Sequence, residues 1–153
     1  MPSPLYIICS ESGADDRISG QSSLFNIIER INFFKLPPGV AVIGGMNMRI
    51  TAAWRREEGD AGKGFDFQSG VWSPDDELHI LGSGEFVFEH PTQKIGARIA
   101  GSLPVTKSGV LRAFVRIRPT GGEAAAWQTQ QYPIDIVEAE MPQSGTVPPV
   151  PNG

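Results

Sequence analysis

Apolar and polar side chains alternate strictly along several stretches of the chain. This period-two pattern sends one set of residues to a core face and the intervening set to water. From Met46 to Trp54 the apolar set is Met46, Met48, Ile50, Ala52 and Trp54, interleaved with Asn47, Arg49, Thr51 and Ala53. From Val110 to Arg118 the inward set is Leu111, Ala113, Val115 and Ile117. Arg112, Arg116 and Arg118 project outward, with Phe114 as the exception on that outer face. Shorter alternations carry Phe65, Phe67 and Val71, then Ile95, Ala97 and Ile99, then Tyr132, Ile134 and Ile136. Leu78 to Phe88 is a further extended stretch, interrupted by Gly82 and Gly84, and Leu5 to Cys9 is an apolar run of β type. Turn formers separate the runs: Gly59-Asp60-Ala61-Gly62, Ser73-Pro74-Asp75-Asp76, Pro91-Thr92, Lys107-Ser108-Gly109 and Thr120-Gly121-Gly122. Glycine supplies positive φ and proline pre-sets the turn, so each cluster ends one strand and begins another. The pattern predicts an all-β fold, an antiparallel β-sandwich of about eight strands, Ig-like or jelly-roll-like.

Ser22 to Phe34 carries two conflicting signals. Leu24, Ile27, Ile28 and Ile31 fall at i, i+3, i+4 and i+7, helical spacing with Ser22 or Ser23 available as N-cap. The same residues are rich in Phe and Ile, and the run Leu5 to Cys9 needs a partner strand nearby. Residue pattern alone leaves helix and strand level.

The segment Ser23 to Ile31, SLFNIIERI, is followed by Leu36-Pro37-Pro38. Later come LPVTKSGVLRAFVRI from Leu103 to Ile117 and YPIDIV from Tyr132 to Val137. In these patterns the chain resembles a bacterial family of uncharacterised all-β proteins, a domain of unknown function that opens strand, turn, strand. The resemblance spans residues 5 to 138 and rests on strand and turn patterns. It implies that Ser22 to Phe33 is extended within a β-sandwich, and it brings no catalytic residues.

Composition narrows the function classes. The chain has 153 residues, 40% hydrophobic and 20% charged, which fits one compact domain over residues 1–140. The remainder, 141–153, reads MPQSGTVPPVPNG and is expected to be a proline-rich disordered tail. Thirteen basic against seventeen acidic residues give a net charge of −4, which disfavours nucleic acid as a partner. No stretch approaches the length of a membrane span and no signal core is evident, so a cytoplasmic protein without membrane contact is expected. Cys9 is the one cysteine, which excludes an internal disulfide and a thiolate cluster.

Each cluster that could carry chemistry lacks a second part. His79 and His90, with Glu77, Glu85 and Glu89 nearby, invite a metal reading, but the HxH pair of a cupin-like site is missing. A hairpin about Gly82 to Gly84 would set His79 opposite Phe88 and send Glu85 and Glu89 to the other face. Asp75, Asp76 and Glu77, and Asp15 and Asp16 before Arg17, read as turn residues, since neither run has the spaced oxygens of a calcium loop. Gly62-Lys63-Gly64 and Gly82-Ser83-Gly84 match no phosphate-binding fingerprint and no nucleophile elbow, and Cys9 reads as a buried thiol. No catalytic residue, metal or cofactor is therefore expected.

The best candidate surface is the outward stripe Arg112, Phe114, Arg116 and Arg118, with Arg98 and Arg49 beside it on neighbouring strands. Trp72 and Trp127 near strand ends could anchor a partner. The expected function is a non-enzymatic protein-interaction or assembly module, with a protein partner or self-association through an open sheet edge. A small-ligand or carbohydrate-binding sandwich using the tryptophans is the rival, and an enzyme comes third.

Overall fold

The computed structural model describes residues 1–15, 21–34, 43–103, 105 and 107–139. Asp16, Arg17, Leu36-Pro37-Pro38 and the residues from Met141 onward lie outside the described residues. Nine strands are described: β1 (Ser3–Asp15), β2 (Ser22–Ile27), β3 (Arg30–Phe34), β4 (Ile43–Arg55), β5 (Gly64–Trp72), β6 (Leu78–Val87), β7 (Thr92–Leu103), β8 (Gly109–Pro119) and β9 (Gln128–Ala139). They form a four-stranded sheet ordered β2-β1-β4-β7 and a five-stranded sheet ordered β3-β9-β8-β5-β6. The only helical pieces among the described residues are 3₁₀ turns at Glu58–Asp60 and Ala124–Ala126. No helix among the described residues is long and apolar enough to cross a membrane.

The alternating runs build the core as the pattern dictates. Met48, Ile50, Ala52 and Trp54 of β4 face Leu111, Ala113, Val115 and Ile117 of β8 and Ile134 and Ile136 of β9, all almost fully buried in one continuous cluster. Each large aliphatic chain removed from water contributes about 1.5–3 kcal/mol. The buried Gln130 side chain crosses between the sheets and donates from Nε2 to the Ala53 carbonyl at 3.0 Å, a polar tie inside the apolar layer.

The stretch from Ser22 to Phe34 is extended, not helical, and it supplies the ninth strand because it changes sheets midway. β2 runs antiparallel to β1, with Ser10 opposite Ile27. The chain then crosses at Ile28 and Glu29 and continues as β3, parallel to β9, so the sandwich is not wholly antiparallel as expected. The Ile28 amide donates to the Cys9 carbonyl on one side, the Asp135 amide to the Glu29 carbonyl on the other, each at 2.9 Å. Asn26, just before the crossing, takes a left-handed conformation with φ 54°, which asparagine tolerates better than a branched residue. The crossing shifts the phase of alternation by one residue, and that shift produced the helix-like spacing. Ile28 is buried between the sheets, whereas Ile27 is exposed.

The segment Leu78 to Val87 is extended, as its pattern indicates: it is one strand along β5, so the alternative of a hairpin about Gly82 to Gly84 does not apply, and the pairing slips at Leu81, the extra residue of a bulge. The following turn signals behave as read. Ser73 is buried, its Oγ accepts the amides of Asp75 and Glu77 at 3.2 Å, and Asp76 adopts φ 62°.

Candidate interaction surface

The six residues singled out in the sequence come together on the outer face of the five-stranded sheet. The register explains why, since opposed residues in a ladder share a face. One rung holds Leu78, Trp72, Arg112 and Pro133, and the next holds Ile80, Gly70, Phe114 and Gln131. A third holds Ser83, Gln68, Arg116 and Thr129, and a fourth Glu85, Asp66 and Arg118. Trp127 stands over the last two rungs from the loop before β9.

Phe114 is the hub. It lies opposite Gly70, whose missing side chain leaves room for the ring, since a Cβ there would meet the Phe114 ring at 3.0 Å. Trp72 packs against it with centroids 4.2 Å apart and Arg116 caps it at 5.5 Å. Although it points away from the core, Phe114 is 0% exposed. It is therefore an anchor for its neighbours and not a free stacking platform.

The arginines are likewise spoken for. Arg112 lies over Trp72 at 5.7 Å and pairs with Asp76. Arg116 donates to the Gln68 Oε1 at 2.6 and 3.0 Å, and its guanidinium sits 4.8 Å from the Trp127 centroid. Arg118 donates to Asp66 at 3.0 Å and lies 4.6 Å from the same ring. Burial first, and then the Arg118 charge, lower the Arg116 pKa from its usual value, the cost of laying two cations side by side under an indole. Cation–π contacts of this kind contribute about 0.5–1 kcal/mol each where solvent still reaches them. This is a self-satisfied ladder that covers its own sheet.

Arg49 and Arg98 do not extend the stripe, because β4 and β7 belong to the other sheet, where they pair with each other. Arg49 pins the β1–β2 hairpin: it binds the Gly13 carbonyl at 3.0 Å and the Asp15 carboxylate. Lys94 of β7, two strands from β1, donates to Ser22 at 2.8 Å. The far end of the hairpin is therefore folded back over the outer face of the four-stranded sheet, where Ser10, Thr51 and Ala53 are buried on a face expected to meet water. The Ser22 hydroxyl first, and then Arg49, hold the Asp15 carboxyl below its ordinary pKa.

The residues weighed for catalysis or metal binding are scattered. His79 lies at the start of β6, whereas His90 follows the end of that strand, three residues beyond Val87. His79 lies 3.8 Å from the Glu77 carboxylate. Asp75 and Asp76 are matched by Lys107 and Arg112, so the acidic turn is a charge-paired corner. Cys9 is fully buried and desolvation pushes its thiol up to about 12, far from a reactive thiolate. Among the described residues no group of three or more His, Cys, Asp or Glu side chains could hold a metal ion.

What the sequence did not single out is β6 itself. Leu78, Ile80, Leu81 and Val87 are 42%, 46%, 43% and 47% exposed on one ten-residue strand at the free edge of the sheet. The adjacent pair Ile80-Leu81, two large apolar residues with no polar residue between them, was the available signal. No protein-family model matches this chain, and no curated protein matches it in sequence.

Proposed function

We propose that this protein is a non-enzymatic assembly module that pairs with a second copy of itself through the edge strand β6. The carrying observation is the concentration of exposed apolar side chains on a strand that, among the described residues, is the last of its sheet. Such edges present unpaired N–H and C=O groups, and natural sheets guard them with charge, proline or brevity. β6 has ten residues and no proline, and Glu85 and His79 are its only ionisable side chains. Antiparallel pairing about a two-fold axis sets Leu78 of one copy against Val87 of the other. The small residues Gly82, Ser83 and Gly84 then lie at the centre, where the two backbones approach. The Arg–aromatic ladder supports this reading by stiffening the two strands behind the edge, so that β6 is presented as a fixed template.

The carbohydrate reading is weaker because both tryptophan rings are engaged within the chain, Trp72 on Phe114 and Trp127 with Arg116 and Arg118. Light scattering across a concentration series tests the proposal. A dimer is expected for the native protein and a monomer with unchanged circular dichroism for Ile80→Lys. A native protein that stays monomeric at every concentration overturns it.

A further inference from the structure

A second feature lies at the opposite edge of the five-stranded sheet from β6, where the two sheets are joined by the crossing of the chain. β1 and β4 stay in register only as far as Ser10 opposite Arg49. Beyond that pair β1 leaves with β2, while β4 continues along β7 with Asn47 opposite Ala100. The two strands thus open into a fork. A cleft of about 610 Å³ occupies it, within the ~300–1,000 Å³ range of small-molecule sites.

The lining has a definite chemistry. Glu11 from β1, Asn26 from β2, Arg30 from β3 and Asn47 from β4 line the cleft together with Ile27, Ile28 and Ile31, so an acid, a base, two side-chain amides and apolar side chains border one space. Asn26 donates to one oxygen of the Glu11 carboxylate at 2.7 Å and so orients it. No ion pair of the described residues joins Glu11 to Arg30, and no acid, carbonyl or ring among them is paired with the Arg30 guanidinium. Two opposite charges that line one cleft without meeting each other match a ligand that carries both charges. The side-chain amides can add hydrogen bonds to a peptide group, and the isoleucines accept an apolar body.

We infer that this fork is a binding site for a short zwitterionic peptide with apolar side chains, its amino terminus held by Glu11 and its carboxylate by Arg30. The left-handed Asn26 has a role in this site, because that backbone turn aims its side chain at Glu11 as the chain leaves the sheet. The assignment is independent of β6 pairing and stands whether or not the protein dimerises.

Calorimetric titration with the dipeptide Leu-Leu, its N-acetyl form and its C-terminal amide tests the inference. Saturable binding of Leu-Leu is expected, and each blocked form should bind about tenfold more weakly, the equivalent of ~1.4 kcal/mol. In Glu11→Gln the penalty for N-acetylation should vanish while that for amidation remains, and in Arg30→Gln the reverse should hold. Both side chains belong to exposed residues, so thermal midpoints near that of the native protein are expected and confirm that any loss of binding is local. Absence of saturable heat at millimolar Leu-Leu, or binding indifferent to both substitutions, overturns the assignment.

Discussion

The two sheets shield their outer faces by different means. Over the four-stranded sheet the cover is backbone: the β1–β2 hairpin folds back and is fastened by Arg49 to Asp15 and by Lys94 to Ser22. Over the five-stranded sheet the cover is made of side chains lying flat, with Phe114 across Gly70 and the arginines of β8 along Trp72 and Trp127. The difference shows in what each cover leaves bare. Long arginine and aromatic side chains reach only as far as their own rungs, so the last strand, β6, keeps its apolar residues in water. A cover built this way is stiff in the middle of the sheet and absent at its rim.

The sharpest contrast between the faces is in their glycines. A Cβ added at Gly70 would fall 2.1 Å from the His79 carbonyl oxygen, a backbone atom that cannot yield without parting β5 from β6. Gly70→Ala is expected to cost more than about 3 kcal/mol in urea denaturation, beyond the usual range for overpacking. Gly96→Ala on the other sheet meets only the Arg49 guanidinium at 3.7 Å, so a change within about 1 kcal/mol is expected. Equal losses at the two sites would erase the distinction between the covers. Phe114→Ala follows, with an expected loss of about 3–5 kcal/mol, the cost of truncating a core phenylalanine although this one faces outward. A loss below about 1 kcal/mol would show the ladder to be ornamental.

Loosening the hairpin cover has a smaller effect, and pH is the gentlest way to do it. The folded Asp15 pKa lies below its ordinary value of 3.8, so its contribution is fully present above that value and fades as pH falls through the folded pKa. Asp15 is 47% exposed, and screening by solvent reduces the effect to a few tenths of a kcal/mol, about that of a surface ion pair. Amide protection in Ser22 to Ile27, taken relative to the intrinsic exchange rate at each pH, should fall slightly as pH drops through the folded Asp15 pKa, and Asp15→Asn should show the lower protection already at neutral pH. Unchanged exchange in that variant would mean that the hairpin is held by packing alone.

Much of the fold was legible because alternation is a local property. The buried sets of β4, β7, β8 and β9 could be read from single runs, as could the shared face of Arg112, Phe114, Arg116 and Arg118. The Ser22 to Phe34 segment resisted because a chain that changes sheets breaks its own phase, and Ile27 and Ile28 then imitate a helix. Trp72 and Trp127 were legible as candidates from residue type and position. Trp72 meets the arginine stripe through the register between β5 and β8, and Trp127 through the loop that leads into β9, neither of which sequence spacing states.

The chain by itself determined which stretches are strands and which side of each is apolar, since both follow from side-chain chemistry repeated every second residue. Tertiary structure alone decided that β3 runs parallel to β9, that the first hairpin turns back over its own sheet, and that β6 is left as an edge. The return of the hairpin rests on contacts such as Lys94 with Ser22 and Arg49 with Asp15, between residues 72 and 34 positions apart. Burial of an outer face is a property of whatever lies across it, and only the closed structure brings that neighbour there.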